Sequence, residues 1–130
     1  MQKIREMEQD KILVIEDEPK IANSLKSGLI EKGYDVDVAV NGMDAWIAIR
    51  SNHYDLVLSD IDMPRMNGIE LVKQIKAHPT FHLLPVIIVS YRDAEDDRIQ
   101  GMEAGADYYI TKSSFHDDTL VNAIVDLIGQ

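Results

Sequence analysis

The chain has 130 residues, 45% of them hydrophobic and 28% charged, as expected for one globular domain with a single core. Its formal net charge of −10 argues against nucleic-acid binding by this domain, because phosphates require a basic surface. The sequence has no cysteine, no secretory signal pattern and no apolar run near the roughly 20 residues of a membrane span, so we expect a cytoplasmic location without membrane contact.

The first ten residues are predicted to be a linker or a disordered segment. Ile4 and Met7 stand at helical spacing among charges, but so short a helix is marginal in isolation. The folded domain is therefore expected to span residues 11–130.

The pattern of a strand, a helix and a second strand follows. The apolar run at residues 12–15 is rich in β-branched side chains and predicts a buried strand. A helix with apolar positions at four-residue steps is predicted next, and Gly33 ends it. Val36, Val38 and Val40 alternate with other residues, which predicts a strand that buries one face and lies at or near a sheet edge.

A turn at Asn41 and Gly42 precedes a predicted short helix over residues 43–50. Residues 56–58 are apolar without alternation, which predicts a central strand covered on both faces. Asp60 then stands where this strand leaves the core. The rest of the chain is best interpreted around this position.

The next helix and strand are marked by strong local signals. Asn67 is a suitable N-cap and Glu70 follows three residues later, which predicts a third helix that runs to about Ala77. The unalternating apolar residues 86–89 predict another buried strand. That strand is expected to stop at Ser90.

The last elements follow the same alternation. Asp93 is predicted to cap a fourth helix, which Gly105 ends. Residues 108–110 predict a fifth strand, with Lys112 just past its end. An apolar stripe within residues 120–128 predicts the final helix.

Five strands alternating with five helices predict an α/β fold, a doubly wound parallel sheet covered on both faces. In such sheets the functional crevice lies beyond the carboxyl ends of the strands. The polar side chains at those ends are expected to converge. They are Glu16, Asp17, Asp60, Ser90 and Lys112.

This set of side chains predicts magnesium-assisted phosphoryl chemistry. Crowded carboxylates repel one another unless a cation compensates, and oxygen ligands without cysteine or clustered histidine favour Mg²⁺. Lys112 adds a point charge suited to a phosphoryl group. A carboxylate held beside these cations can attack phosphorus in line, and Asp60 is the predicted nucleophile.

From Lys11 onward the chain resembles the receiver domain of two-component response regulators. The resemblance rests on an acidic pair after strand one, Asp-x-Asp-Met-Pro-x-Met-x-Gly after strand three, a hydroxyl after strand four, and Gly-Ala-Asp-x-Tyr followed by Lys at strand five. It implies the flavodoxin-like receiver fold, with strand order 2-1-3-4-5. It also implies a phosphorelay function, in which a phosphohistidine of a histidine kinase or transfer domain supplies the phosphoryl group.

The resemblance also implies individual roles at the acidic end. Asp60 would be the phosphoacceptor and would share Mg²⁺ with Asp17. Glu16 would act on the metal through water, and Asp62 would offer its backbone carbonyl. The domain would thus catalyse its own phosphorylation and dephosphorylation and would not be a conventional enzyme.

Three further roles concern the phosphorylated state. Lys112 would bind the phosphoryl group. Ser90 and Tyr109 match the family's switch pair, in which the hydroxyl closes on the phosphoryl oxygens and the ring turns inward. The resulting change of conformation would signal to a partner protein.

Two positions depart from the family pattern. Tyr91 stands where a small residue is usual, which places a ring at the mouth of the site and bears on the rates of phosphoryl gain and loss. Ser113 follows Lys112 where proline is usual, as in receivers that are attached to hybrid chemotaxis histidine kinases. This variant suggests a chemosensory pathway.

Two other functions are alternatives to phosphoacceptance. A pseudo-receiver would be an interaction module that takes no phosphate, which the retention of every strand-end residue speaks against. A phosphatase of the haloacid dehalogenase type is suggested by Asp60-Ile61-Asp62 alone. That family's motif follows the first strand and usually needs a larger chain, and a short motif requires its context.

The Lys112–Ser113 peptide bond is predicted to be trans. A cis bond costs about 0.5 to 1 kcal/mol before proline but roughly 3 to 4 kcal/mol before serine, so the loop is expected to take another route. Phe115 is expected to pack inward and hold Lys112 toward Asp60. An experimental structure that resolves this loop checks the prediction, and a cis bond or a solvent-exposed Phe115 would contradict it.

Overall fold

The computed structural model describes residues 9–112 and 118–129, and within them five strands alternate with five helices. The strands are β1 (Lys11–Ile15), β2 (Asp35–Ala39), β3 (Leu56–Ser59), β4 (Val86–Ser90) and β5 (Tyr108–Thr111). The helices are α1 (Pro19–Glu31), α2 (Gly42–Ser51), α3 (Gly68–Ala77), α4 (Glu95–Ala104) and α5 (Thr119–Ile128). All strand pairs are parallel, in the order β2-β1-β3-β4-β5. The predicted fold class and strand order are confirmed.

Two apolar layers cover the sheet, one on each face. Leu13 and Ile15 of β1 pack into the layer that α2, α3 and α4 complete. Ile12 and Val14 of the same strand pack into the layer that α1 and α5 complete. Because successive strand residues point to opposite faces, a run of four apolar residues is what a strand buried on both faces requires. β1 is therefore buried between the two layers, and the acids Glu16 and Asp17 follow directly at its carboxyl end.

The edge position predicted for the valine-alternating strand is confirmed, since among the described strands β2 pairs with β1 alone. The expectation that Val40 joins its buried face is wrong. β2 ends at Ala39, the partner of Ile15, and Val40 is 53% exposed. The last backbone contact between the two chain segments, among the described residues, is made by the Glu16 amide, which donates to the Ala39 carbonyl at 3.0 Å. On the strand itself the acids Asp35 and Asp37 alternate with the valines.

The corner between β3 and α3 is held by backbone contacts that only glycine permits. A Cβ at Gly68 would lie 2.0 Å from the carbonyl oxygen of Asp60, and one at Gly42 would lie 2.1 Å from that of Met66. Asn67 caps α3 in the predicted capping box with Glu70. The close approach at Gly68 sets Asp60 directly against the first turn of α3.

The start of α4 differs from the prediction. The helix begins at Glu95 and its N-cap is Ala94, not Asp93, because the amides of Asp97 and Arg98 both donate to the Ala94 carbonyl. The end of the helix is as predicted, with Gly105 at φ 116°.

Some expectations concern residues that the structure does not describe. The Lys112–Ser113 bond and the packing of Phe115 lie outside the described residues, as does most of the predicted linker at residues 1–10. Among the described helices, none has the length and apolar character needed to cross a membrane.

We expect the two glycine-to-alanine changes at Gly68 and Gly28 to have opposite effects. Gly68→Ala should lower the free energy of unfolding by about 1 to 3 kcal/mol or more, because its Cβ meets backbone that cannot yield easily. Gly28 lies inside α1, and a Cβ added there would meet no neighbouring atom within 4 Å. Gly28→Ala should therefore raise the free energy of unfolding by about 0.5 to 1 kcal/mol. Urea denaturation of both variants measures the two changes. Equal stability of the two variants would contradict this account of the corner.

Candidate functional site

The carboxyl ends of β1 and β3 bring three acids together, as the sequence predicted. One carboxylate oxygen each of Glu16, Asp17 and Asp60 lies within 4.8 Å of the others. Glu16 and Asp60 are buried, whereas Asp17 is exposed. The acids reach one point because β1 and β3 are neighbours in register, with Ile15 opposite Ser59.

Lys112 joins this cluster from the end of β5. Its Nζ lies 2.6 Å from Glu16 Oε1 and 3.2 Å from Asp60 Oδ2. The lysine side chain is only 2% exposed, so these carboxylates, and not water, stabilise its positive charge. The expected orientation of Lys112 toward Asp60 is therefore observed.

Burial and neighbouring charged groups have opposing effects on the pKa values of Glu16 and Lys112. Burial raises the pKa of Glu16, and the neighbouring Asp60 adds to this, although the hydrogen bond from Lys112 opposes it. Burial alone lowers the pKa of Lys112, but Glu16 and Asp60 outweigh burial and raise it above its ordinary value. The lysine consequently stays protonated while it faces Asp60.

Asp60 is held by its own backbone neighbourhood. Its Oδ1 accepts a 2.7 Å hydrogen bond from the Ile61 amide, and its own amide donates to the Ile15 carbonyl at 3.1 Å. The other oxygen, Oδ2, faces Lys112. One carboxylate oxygen is thus tied to the backbone, while the other lies beside a cation.

The donor set fits a hard divalent cation. Three carboxylates and one ammonium leave two uncompensated negative charges, which one Mg²⁺ would neutralise. Asp17 and Asp60 present oxygens to the cluster. Glu16 already uses Oε1 for Lys112 and Oε2 for the Glu18 amide, at 3.1 Å, which favours a contact with the metal through water.

Arg92 is a site residue that sequence analysis missed. Its guanidinium forms a two-point ion pair with the Asp62 carboxylate, in which Nε lies 3.0 Å from Oδ2 and Nη2 contacts Oδ1. A weaker contact of 3.5 Å joins Nη1 to Asp97. The Arg92 hydrogen bond lowers the pKa of Asp62. The Asp62 side chain is therefore turned to Arg92, as expected of a residue that would offer only its carbonyl.

Ser90 and Tyr109, the predicted switch pair, both hydrogen-bond the backbone of Arg92. The buried Ser90 hydroxyl accepts a hydrogen bond from the Arg92 amide at 3.1 Å. The Tyr109 hydroxyl donates to the Arg92 carbonyl at 2.7 Å, and its ring lies against Gly101 of α4. Burial raises the pKa of Tyr109. Ser90 and Tyr109 are thus connected through the backbone of Arg92.

Tyr91, the unusual residue at the mouth, lies over the site lysine. The centroid of its ring is 4.7 Å from Lys112 Nζ, within the range of a cation–π contact. The residue is nonetheless 69% exposed. It is the aromatic surface that a molecule approaching Lys112 from solvent would meet.

Comparison with known proteins places the chain in a family. It matches the family described as response regulator receiver domain over residues 12–125. It is 34% identical over 115 residues to the gliding motility regulatory protein of Myxococcus xanthus, covering 88% of this chain and 15% of that protein. It is 36% identical over 102 residues to response regulator MprA of Mycobacterium sp. (strain KMS), covering 78% of this chain and 44% of that protein. The chain spans less than half the length of these two relatives.

A solved structure agrees with this assignment. The response regulator protein TrrA of Thermotoga maritima, in complex with Mg²⁺-BeF, matches with a TM-score of 0.82 at 34% identity. The match covers 92% of this chain and 99% of that one. With the strand order and the acidic cluster described above, these matches show that the chain belongs to the receiver domain family of two-component response regulators.

Proposed function

We propose that Asp60 is the phosphoacceptor of this receiver domain and that a phosphohistidine donates the phosphoryl group to it. The observation that carries the proposal is the position of Asp60 Oδ2, which lies 3.2 Å from the buried Lys112 amine and within a cluster of three acids. A cation beside the attacking carboxylate also draws in the negative phosphoryl group. Receiver domains of this family act with histidine kinases. We propose that the phosphohistidine donor of this chain belongs to a histidine kinase or to a histidine phosphotransfer domain.

The reaction forms one bond and breaks one. A carboxylate oxygen of Asp60 attacks phosphorus in line, and the bond between phosphorus and the imidazole nitrogen breaks. The imidazole leaves as a neutral ring because its other nitrogen already carries a proton. Lys112 keeps its proton and compensates charge on the phosphoryl oxygens, which is consistent with the raised pKa of this amine.

Three residues are proposed to hold Mg²⁺ directly. They are Asp17 and Asp60 through carboxylate oxygens and Asp62 through its backbone carbonyl, with Glu16 acting through water. When bound, the ion would supply positive charge to the phosphoryl oxygens and relieve repulsion among the acids. The fit of the acidic cluster to a hard cation supports this assignment.

The switch is proposed to begin at Ser90. When its hydroxyl turns to a phosphoryl oxygen, the Arg92 amide loses the acceptor that it has in the present structure. The loop that carries Arg92 is then released to move, and with it the carbonyl that holds the Tyr109 hydroxyl. Phosphorylation at Asp60 would thereby release the Tyr109 hydroxyl from its hydrogen bond, and the Tyr109 ring would turn inward.

The cellular setting is proposed on other grounds. A cytoplasmic location and the absence of nucleic-acid or membrane contact by this domain follow from the acidic composition and the sequence pattern. The Lys112–Ser113 sequence supports a chemosensory pathway and a hybrid histidine kinase as the parent protein. The downstream target would be a protein that recognises the switched form.

The family match bears differently on the two alternative functions. The family match supports a receiver domain and lends nothing to a haloacid dehalogenase-type phosphatase. A pseudo-receiver would share the fold but would take no phosphate. Phosphate uptake therefore separates the proposed function from the remaining alternative.

Asp60→Asn should abolish Mg²⁺-dependent phosphoryl uptake, because the amide nitrogen and oxygen that replace the carboxylate form no acyl phosphate. The measurement is intact mass after incubation with Mg²⁺ and a small amido or acyl phosphate donor. Asp96→Asn removes an exposed acid of α4 and makes the same change in charge, so it serves as the control and should take up phosphate normally. Undiminished uptake by the Asp60 variant would refute the assignment.

Asp17→Ala should weaken Mg²⁺ binding severely and should stabilise the metal-free domain. The variant loses a direct ligand but also one of three clustered acids, so its free energy of unfolding without metal should rise by about 0.2 to 1 kcal/mol. Titration calorimetry and urea denaturation in a chelator measure the two effects. Glu31→Ala, at the far end of α1, is the charge-matched control for binding. An unchanged Mg²⁺ affinity in the Asp17 variant would remove Asp17 from the ligand set.

A further inference from the structure

Tyr91 occupies the solvent side of the proposed phosphoryl site. Its ring centroid is 4.7 Å from Lys112 Nζ, and the same nitrogen is 3.2 Å from Asp60 Oδ2. Both distances start at one atom, so the ring and the acceptor carboxylate are close neighbours. The Lys112 and Asp60 side chains are 2% and 9% exposed, whereas Tyr91 is 69% exposed. The ring is therefore an exposed part of a site whose lysine and acceptor carboxylate are buried.

The geometry of phosphoryl transfer directs the leaving group toward this ring. In an in-line displacement the leaving group departs on the side of phosphorus opposite to the attacking oxygen. The attacking oxygen of Asp60 is at the buried end, so the leaving group must lie at the mouth. Tyr91 stands at that mouth, between Ser90 and Arg92 in the chain.

The leaving group of a phosphohistidine is itself suited to a tyrosine ring. It is a planar imidazole that carries a proton, and hence positive charge, until the bond to phosphorus breaks. A cation over an aromatic face within about 6 Å is attracted by the ring quadrupole, and aromatic pairs also prefer centroid distances of roughly 4.5 to 7 Å. The Lys112 amine already uses such an attraction with Tyr91.

We propose that the Tyr91 ring is the platform on which the imidazole of the phosphoryl donor stacks, so that Tyr91 selects donors with an aromatic leaving group over donors without one. The inference rests on phosphoryl uptake at Asp60 and adds a specificity-determining residue to it. Tyr91 acts on the leaving group, whereas Lys112 and Asp60 act on the phosphoryl group that every donor shares.

Two small donors isolate this role. Phosphoimidazole and phosphoramidate deliver the same phosphoryl group, but the first releases imidazole and the second ammonia. For each variant, the second-order rate constant of uptake is measured with both donors by intact mass, at one pH and one Mg²⁺ concentration. The ratio of the two constants is then compared. A shift of Lys112 caused by the substitution changes both constants, so it cancels in the ratio.

The variants separate the aromatic face from mere bulk. Tyr91→Phe keeps the ring, Tyr91→Leu keeps apolar bulk without a π face, and Tyr91→Ala removes both. The wild-type chain and the Phe variant should share one ratio of phosphoimidazole to phosphoramidate rates. The Leu and Ala variants should show a ratio lower by about 2- to 10-fold, the range expected for one aromatic pair. Because Tyr91 is largely exposed, each variant should fold.

Other outcomes overturn the inference. Equal ratios in all four proteins would show that Tyr91 does not contact the leaving group. A higher ratio in the Leu and Ala variants would show that the ring is an obstacle to the larger donor. Uptake from neither donor by the wild-type chain would refute phosphoacceptance itself, and the role of Tyr91 with it, which distinguishes that failure from the first two.

Discussion

The buried ammonium of Lys112 is the constraint on which the site depends. An ammonium with 2% exposure is stable only when carboxylates replace its water, and Glu16 and Asp60 do so from β1 and β3. Adjacent strands lie about 4.8 Å apart, so β5 is three spacings, roughly 14 Å, from β1. The lysine and the glutamate are long side chains that extend toward each other across this interval. The strand order is consequently needed for charge compensation. If β5 were displaced, the buried acids Glu16 and Asp60 would lose the ammonium of Lys112.

The two walls of the site are held by different kinds of interaction. The β3–α3 wall is held by backbone contacts at Gly68 and Gly42, where a single methyl group would collide with a carbonyl. The opposite wall, after β4, is held by hydrogen bonds of Arg92 with Ser90 and Tyr109 and by its ion pair with Asp62. Hydrogen bonds and exposed ion pairs can exchange partners at little cost in free energy. The close backbone contacts at the two glycines cannot be rearranged in this way. Asp60, the proposed acceptor, thus belongs to the rigid wall, and Ser90 and Tyr109, the proposed switch pair, belong to the adaptable one.

The positions of the strand ends were readable from the sequence because each follows an apolar run that only a buried strand explains. Asp60 and Lys112 were found in this way. Arg92 was not, because an arginine beside several acids gives no signal for which carboxylate it will choose, and its partner Asp62 lies 30 positions away. The N-cap of α4 was misplaced at Asp93 for a related reason. The Arg92 carbonyl accepts a hydrogen bond from Tyr109, a contact that the local sequence does not reveal, and the backbone of Ala94 is extended just before the helix.

The exposed edge of the sheet has a consequence for association between copies of the chain. Among the described strands, β2 pairs with β1 alone, and the outer row of backbone groups on such an edge strand can recruit a strand from a second molecule. The acids at Asp35 and Asp37 would then face the acids of an incoming β2, on molecules that each carry a formal net charge of −10. Growth of the sheet through this edge is therefore electrostatically opposed.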